Sequence, residues 1–156
     1  MDLQIDDFYK DAASGLLMLY QAFPRKMALY VEDLIGREEP DEFGLPSKRH
    51  QACLGALLWL AEEGYLRFES TIAYDALDQA VLTREAFVRL SAPAPQALLR
   101  ELSAASNEPE LPPSVQKDLS TYIHLLRSAL KSGSSSRISL AVQSTFFNDS
   151  GLQPVH

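Results

Sequence analysis

Five consecutive residues near the middle of the chain carry the groups best suited to binding chemistry. They are Ser47, Lys48, Arg49, His50 and Gln51, and an apolar helical pattern begins with them. Arginine can pair with guanine, glutamine with adenine, and lysine with phosphate. Two basic residues at a helix start oppose the helix dipole, which favours an anion bound there. The alternative is that Lys48 and Arg49 only solubilise an exposed first turn.

The residue types needed for catalysis or metal binding do not occur at suitable spacings. The three histidines, His50, His124 and His156, have no metal-ligand spacing with one another or with Cys53. Cys53 lies inside an apolar helical pattern, which favours a small buried side chain over a reactive thiol. The chain has no glycine-rich phosphate loop and no nucleophile elbow. We therefore expect a non-enzymatic protein with no catalytic residues, no metal and no cofactor.

Length and composition indicate a globular protein with an acidic front. The 156 residues suffice for one domain with a helical appendage, and a content of 46% hydrophobic and 22% charged residues is typical of a folded chain. Ten acids and four bases fall in residues 1–46, so most of the net charge of −7 lies there. The chain has no apolar run of membrane-spanning length, and its acidic start is unlike a signal peptide. We therefore expect a cytoplasmic location.

Hydrophobic spacing predicts a mainly α-helical domain with a small antiparallel sheet. Pro24 ends a first amphipathic helix, Ser47 caps a central helix, Gly64 stops it, and Thr83 caps the next helix. Gly55 costs the central helix about 1 kcal/mol against alanine, and we expect another helix to pack closely against it. The predicted elements are a helix at 5–23, a strand at 27–31, a short helix at 32–36, a loop at 37–46, a helix from 47, strands at 65–70 and 79–82, and a helix from 83.

Two stretches of the sequence resemble winged-helix regulators of the MarR and PadR type. GYLRFES…AVLTREAFVRL is similar to their strand–wing–strand–helix end, in which a leucine-threonine step like that of residues 82–86 follows the second wing strand. FPRKMALYVEDLIG is similar to their strand and the first helix of their helix-turn-helix. The resemblance covers about residues 5–92 and is one of pattern. It implies a winged helix-turn-helix domain at 1–92 with a C-terminal helical extension.

The resemblance implies DNA binding by a transcriptional regulator. In those families the helix at 47–63 would be the recognition helix, and its first residues would face the major groove of double-stranded DNA. Arg67 and Arg84 would then contact phosphates. The same superfamily contains modules that bind other proteins, so analogy of fold does not choose between the two functions.

The loop before the central helix favours the alternative, a winged-helix protein–protein interaction module that does not bind DNA. Its acidic residues are Glu38, Glu39, Asp41 and Glu42. Like charges repel phosphate within a Debye length of about 8 Å. This alternative predicts a protein partner with a basic patch, bound by these four residues.

The presumed wing, residues 71–78, is acidic and partly apolar. It holds two aspartates and no lysine or arginine, although wings that touch DNA normally present basic residues. Ile72, Tyr74 and Leu77 are more apolar than a solvated hairpin needs. They either pack on the body of the domain or meet a partner protein.

The chain after residue 92 is predicted to form a helical extension and a tail. The extension covers 93–133 and includes a helix at 114–131 with apolar residues near heptad spacing. That stripe either packs against the first helix within one chain or forms a homodimer, which would place two recognition helices on one face of the assembly. Residues 134–156 are predicted to be a flexible linker and tail, in which 137–147 is compatible with a strand or a short helix.

Overall fold

The described part of the chain is mainly α-helical with one small open sheet. A computed structural model describes residues 2–103 and 120–147, and the chain divides into two compact units, Met1–Phe87 and Val88–His156. The α-helices of the described residues are α1 Leu3–Ala22, α2 Val31–Ile35, α3 Lys48–Glu62, α4 Arg84–Ser91, α5 Gln96–Ser103, α6 Tyr122–Ser132 and α7 Ser135–Val142. The strands are β1 Met27–Tyr30, β2 Leu66–Arg67, β3 Ser70–Ile72 and β4 Ala76–Leu82. The expected combination of many helices with a small antiparallel sheet is confirmed.

Helix α1 forms because its apolar residues fall on one face, and it ends where a proline follows. Ala12, Leu16 and Leu19 are fully or almost fully buried on that face, at the spacing of three and four residues typical of an amphipathic helix. Phe23 has extended backbone geometry, because the ring of Pro24 disfavours helical geometry in the residue before it. The helix predicted at 5–23 is therefore confirmed.

Strand β4 is the centre of the sheet. β1 pairs with one edge of β4, and β2 and β3 pair with the other edge, all antiparallel. Leu29 stands opposite Leu77, and Leu66 stands opposite Leu82. All four leucines are buried, so the paired strands contribute their large side chains to the core.

The sheet departs from the predicted strands at two places. The strand predicted at 65–70 is divided into β2 and β3, and the strand predicted at 79–82 begins earlier, at Ala76. Gln79 has a positive φ of 52°, and the register of β1 against β4 shifts at this point. An irregularity of this kind bends a strand and interrupts regular pairing, and no residue pattern announces it.

Local capping signals define both ends of α3. Ser47 Oγ accepts a hydrogen bond from His50 N at 3.0 Å, which is the predicted N-cap. Gly64 follows the helix with a φ of +83°, the left-handed geometry that glycine adopts most easily. The buried side chains of α3 are Cys53, Leu54, Ala56, Leu57 and Leu60.

Thr83 connects the start of α4 to the end of α3. Its hydroxyl accepts from Ala86 N at 3.2 Å and donates to Gly64 O at 2.7 Å. The predicted cap at Thr83 is therefore confirmed, and the same side chain satisfies a carbonyl beyond the C-terminus of α3.

In the second unit, residues just before α5 pair with residues just before α6. Ala94 N donates to Ser120 O at 2.7 Å, and Tyr122 N donates to Ala92 O at 3.1 Å. The helix predicted at 114–131 is therefore wrong at residues 120 and 121, which lie before α6 and are not helical. Residues 114–119 lie outside the described residues.

The apolar stripe proposed for dimerisation is buried or half-buried in its described part. Ile123 and Leu126 are almost fully buried, and α6 packs against α5 and α7. Most of the described stripe therefore belongs to the core of this unit, and the homodimer stays a prediction.

Residues 135–147 are helical, although a flexible segment was predicted from residue 134. Ser134 Oγ accepts from Arg137 N and caps α7, and a π-helical turn at Gln143–Phe147 follows the helix. Ile138, Ala141 and Val142 are buried, at helical spacing. The serine-rich composition misled the prediction because serine is also a good N-cap.

Gly15 and Gly55 lie inside helices in very different surroundings. A Cβ on Gly15 would approach Leu57 Cδ2 at 2.8 Å, whereas a Cβ on Gly55 would meet nothing within 4 Å. The prediction that another helix packs closely against Gly55 is therefore wrong for the described residues. Gly15 is the helical glycine that has a close neighbour, Leu57.

We expect Gly55→Ala to raise the free energy of unfolding by about 1 kcal/mol, because alanine is the better helix former. Gly15→Ala is expected to lower it, since overpacking a filled site costs about 1–3 kcal/mol. Urea unfolding of both variants in dilute solution checks this pair. A Gly15→Ala protein more stable than the wild type would contradict the tight contact with Leu57.

Candidate functional site

Arg49, the strongest candidate for base recognition, is held inside the first unit by a buried carboxylate. Its Nη1 and Nη2 atoms donate to Asp11 Oδ2 and Oδ1, both at 2.6 Å. Its Nε atom lies 3.7 Å from Asp7 Oδ2. Asp11 is only 2% exposed. The fork of the guanidinium is thus matched to a carboxylate of α1, in the bidentate geometry that makes such pairs strong.

This pair controls the local electrostatics of the α1–α3 contact. Hydrogen bonding to Asp11 raises the pKa of Arg49, and the partial burial of the guanidinium opposes that rise. Cys53 lies in the same contact, and burial raises the pKa of its thiol to about 12, with the Asp11 charge as a second cause. Cys53 is fully buried, which confirms the expected structural role of this side chain.

His50 and Gln51 are also bonded to the chain itself. His50 Nε2 lies 2.7 Å from Tyr74 O, and since a carbonyl only accepts, Nε2 carries the hydrogen. The same nitrogen is 3.6 Å from Asp75 Oδ1. Gln51 Nε2 donates to Pro46 O at 2.8 Å. These bonds attach the start of α3 to the β3–β4 turn and to its own preceding loop.

Three basic candidates remain exposed, at opposite ends of α3. Lys48, Arg67 and Arg84 have exposed side chains and form no ion pair with any described residue. Lys48 opens α3, whereas Arg67 follows the turn after its end and Arg84 follows Thr83, which bonds Gly64. A fifteen-residue helix rises about 22 Å. The structure therefore does not gather the seven candidates Ser47, Lys48, Arg49, His50, Gln51, Arg67 and Arg84 into one basic patch.

The acidic loop before α3 is shaped by Asp41. Its Oδ1 atom accepts from Phe43 N at 2.9 Å and from Leu45 N at 2.8 Å, and its backbone N donates to Leu45 O at 2.8 Å. Asp41 is therefore a turn-forming residue. The other acids, Glu38, Glu39 and Glu42, are exposed, and Glu38 Oε1 accepts from Ser47 Oγ at 3.5 Å.

This loop presents two large apolar side chains to solvent. Phe43 is 79% exposed and Leu45 is 54% exposed. Both follow Asp41, whose bonds fix their backbone amides. Exposed aromatic and aliphatic groups on an ordered loop are typical of binding surfaces.

The β3–β4 turn has one further exposed aromatic ring. Tyr74 is 66% exposed, Ile72 is half-buried and Leu77 is buried. The packing explanation is correct for Leu77 and wrong for Tyr74. Tyr74 is therefore free to meet a partner near the start of α3.

Sequence reasoning missed Asp11 and the exposed pair on the loop. A signal for Asp11 was present, because it falls between Phe8 and Ala12 on the apolar face of α1, where an unpaired carboxylate would be costly. No comparable signal marked Phe43 and Leu45, since the sequence of a loop does not show whether its apolar residues are buried.

No known family model, curated protein or solved structure matches this chain. Within residues 2–103 and 120–147, no three histidine, cysteine or acidic side chains are placed to hold a metal ion. In the same residues no helix has the length and apolarity to span a membrane. The geometry of the described residues therefore carries the functional inference by itself.

We expect Arg49→Met to lower the free energy of unfolding by about 3 kcal/mol, because it leaves the Asp11 carboxylate buried without its partner. The matched control is Lys48→Met, one residue away and exposed, which should change stability by less than about 0.5 kcal/mol. Replacing both partners, with Asp11→Leu and Arg49→Met, should recover part of the loss. Urea unfolding measures all three, and equal stability of Arg49→Met and Lys48→Met would show that the pair is not structural.

Proposed function

We propose that residues 1–92 form a winged-helix module that works by binding another protein. The order of elements supports the winged-helix layout: a helix, a strand, two further helices and then an antiparallel hairpin. The pairing of β1 with β4, which lies between β1 and β2, agrees with that layout. The inward position of Arg49 supports a function other than DNA recognition.

The observation that carries the proposal is the exposure of Phe43 on a loop braced by Asp41. The ring of Phe43 is 79% exposed. Binding a partner through it costs little conformational entropy, because the backbone that carries it is already fixed. Aromatic anchors of this kind often supply much of the energy of an interface. Leu45 extends the apolar contact on the same loop.

Charge identifies the kind of partner. Residues 1–87 contain sixteen acids and eight bases, and three of the exposed acids, Glu38, Glu39 and Glu42, precede Phe43 within five residues. Exposed acids next to an exposed apolar side chain favour a basic protein segment with an apolar side chain, and disfavour acidic surfaces. The partner we propose is such a basic segment.

We expect Phe43→Ala to weaken binding to a basic amphipathic peptide about tenfold or more, as for an interface anchor. The probe is a library of lysine- and arginine-rich peptides, with acidic peptides of equal length as the negative set, measured by fluorescence anisotropy. The matched control is Val88→Ala, another exposed apolar residue. Equal losses from Phe43→Ala and Val88→Ala would contradict the proposed surface.

Charge reversal of the three glutamates tests their contribution to binding while Asp41 continues to hold the loop. Reversal of Glu38, Glu39 and Glu42 to lysine should slow association and reduce its dependence on salt, whereas Glu101→Lys should not. Asp41 is left unchanged in that variant because its reversal would unfold the loop. If peptides bind the triple variant as tightly as the wild type, the basic partner is wrong.

DNA binding as a transcriptional regulator is the second candidate, favoured by the exposure of Lys48, Arg67 and Arg84. Arg49→Ala would cost about 1–3 kcal/mol in specific binding if the residue contacted a guanine, but its structural role would confuse the result. Lys48→Ala is the cleaner variant. Binding of random duplex DNA that weakens steeply with salt would support phosphate contacts, and no binding at low salt would exclude them.

A further inference from the structure

Helix α3 has an outer face that the described chain leaves uncovered. Its members are all exposed and recur at spacings of four and three residues, namely Lys48, Ala52, Gly55, Trp59 and Glu62. Such spacing places them in one stripe along the helix. The stripe runs from the first residue of α3 to the last.

The middle of this face has no side chain at Gly55, and the next residue along the stripe is the aromatic Trp59. Gly55 has nothing within 4 Å of where a Cβ would stand, although a glycine inside a helix is a poor helix former. Trp59 is 37% exposed, and its ring is held by an edge contact with Phe8 at 5.3 Å between centroids. A second helix could therefore approach closely at Gly55 while meeting a fixed indole beside it.

The charges at the two ends of the face are placed against the dipole of their own helix. Lys48 is at the N-terminus, where the dipole is positive, and Glu62 is at the C-terminus, where it is negative. Each lies seven residues from Gly55. An antiparallel copy of the same helix, crossing at Gly55, would bring each Lys48 beside the Glu62 of the other copy and beside the negative end of its helix.

We propose that this face binds a second copy of the chain, with two α3 helices antiparallel about a two-fold axis near Gly55. The face is self-complementary in charge, as an isologous interface requires. It is one helix wide, well below the area of a standard interface, so the dimer is a weak one. This inference does not rest on the acidic loop, and its test is independent of the peptide measurements.

Such a dimer has a consequence for the function. In the winged-helix layout this face of α3 is the one that would enter a DNA groove. Pairing of two copies through it would cover Lys48 and leave Phe43 on the loop outside the stripe. The dimer is therefore compatible with protein binding and excludes groove recognition by the same face.

Charge reversal tests the proposal by sedimentation equilibrium of the full chain. Lys48→Glu and Glu62→Lys each place like charges together twice in the homodimer, and each should weaken it about tenfold. Both changes improve the match to the helix dipole, so neither is expected to unfold the protein. Mixing the two variants should restore association, because every glutamate then faces a lysine.

The control is Arg84→Glu, which reverses an exposed charge outside the stripe and should leave the dimer unchanged. A wild-type chain that stays monomeric up to about 1 mM would overturn the proposal. A dimer that neither variant weakens, or mixed variants that do not associate better than each alone, would also overturn it.

Discussion

The bidentate pair between Arg49 and Asp11 is the interaction on which the first unit depends most. Taking a carboxylate out of water costs several kcal/mol unless a matched cation satisfies it, and the two equal hydrogen bonds of 2.6 Å provide that match. The pair joins residues 38 positions apart in the chain and fixes the first turn of α3 against α1. The direction in which α3 presents its other side chains follows from this contact.

The pair also limits what the start of α3 can do. Arg49 can release Asp11 for an outside ligand only by leaving a buried charge unpaired, so its guanidinium is a poor candidate for reversible recognition. His50 adds a second connection, because its bond to Tyr74 O joins α3 to the β3–β4 turn. The groups that suit nucleic acid by type are thus largely engaged in holding the fold, whereas the loop and the outer face of α3 remain open.

Local signals in the sequence were sufficient for most element boundaries. Ser47, Gly64 and Thr83 act through neighbours within a few residues, and each stands where it was predicted. The errors fall where residues distant in the chain determine the local conformation. Thr121 is extended because it pairs with Pro93, which no local pattern reveals. The partner of Arg49 is also distant in the chain, 38 residues away, so the residue type suggested a binding role although the fold uses Arg49 to pair with Asp11.

The same distinction applies to charge, because the charge that a surface offers to a partner excludes residues already paired within the fold. Arg49 counts as a free cation in the sequence, yet it neutralises Asp11, whereas Asp41 accepts only from backbone amides and stays an exposed anion. The loop therefore keeps four exposed acids before Phe43, and α3 keeps a lysine at one end and a glutamate at the other. The first arrangement is complementary to a basic partner and the second to itself. The two surfaces therefore select different partners even though both belong to one acidic chain.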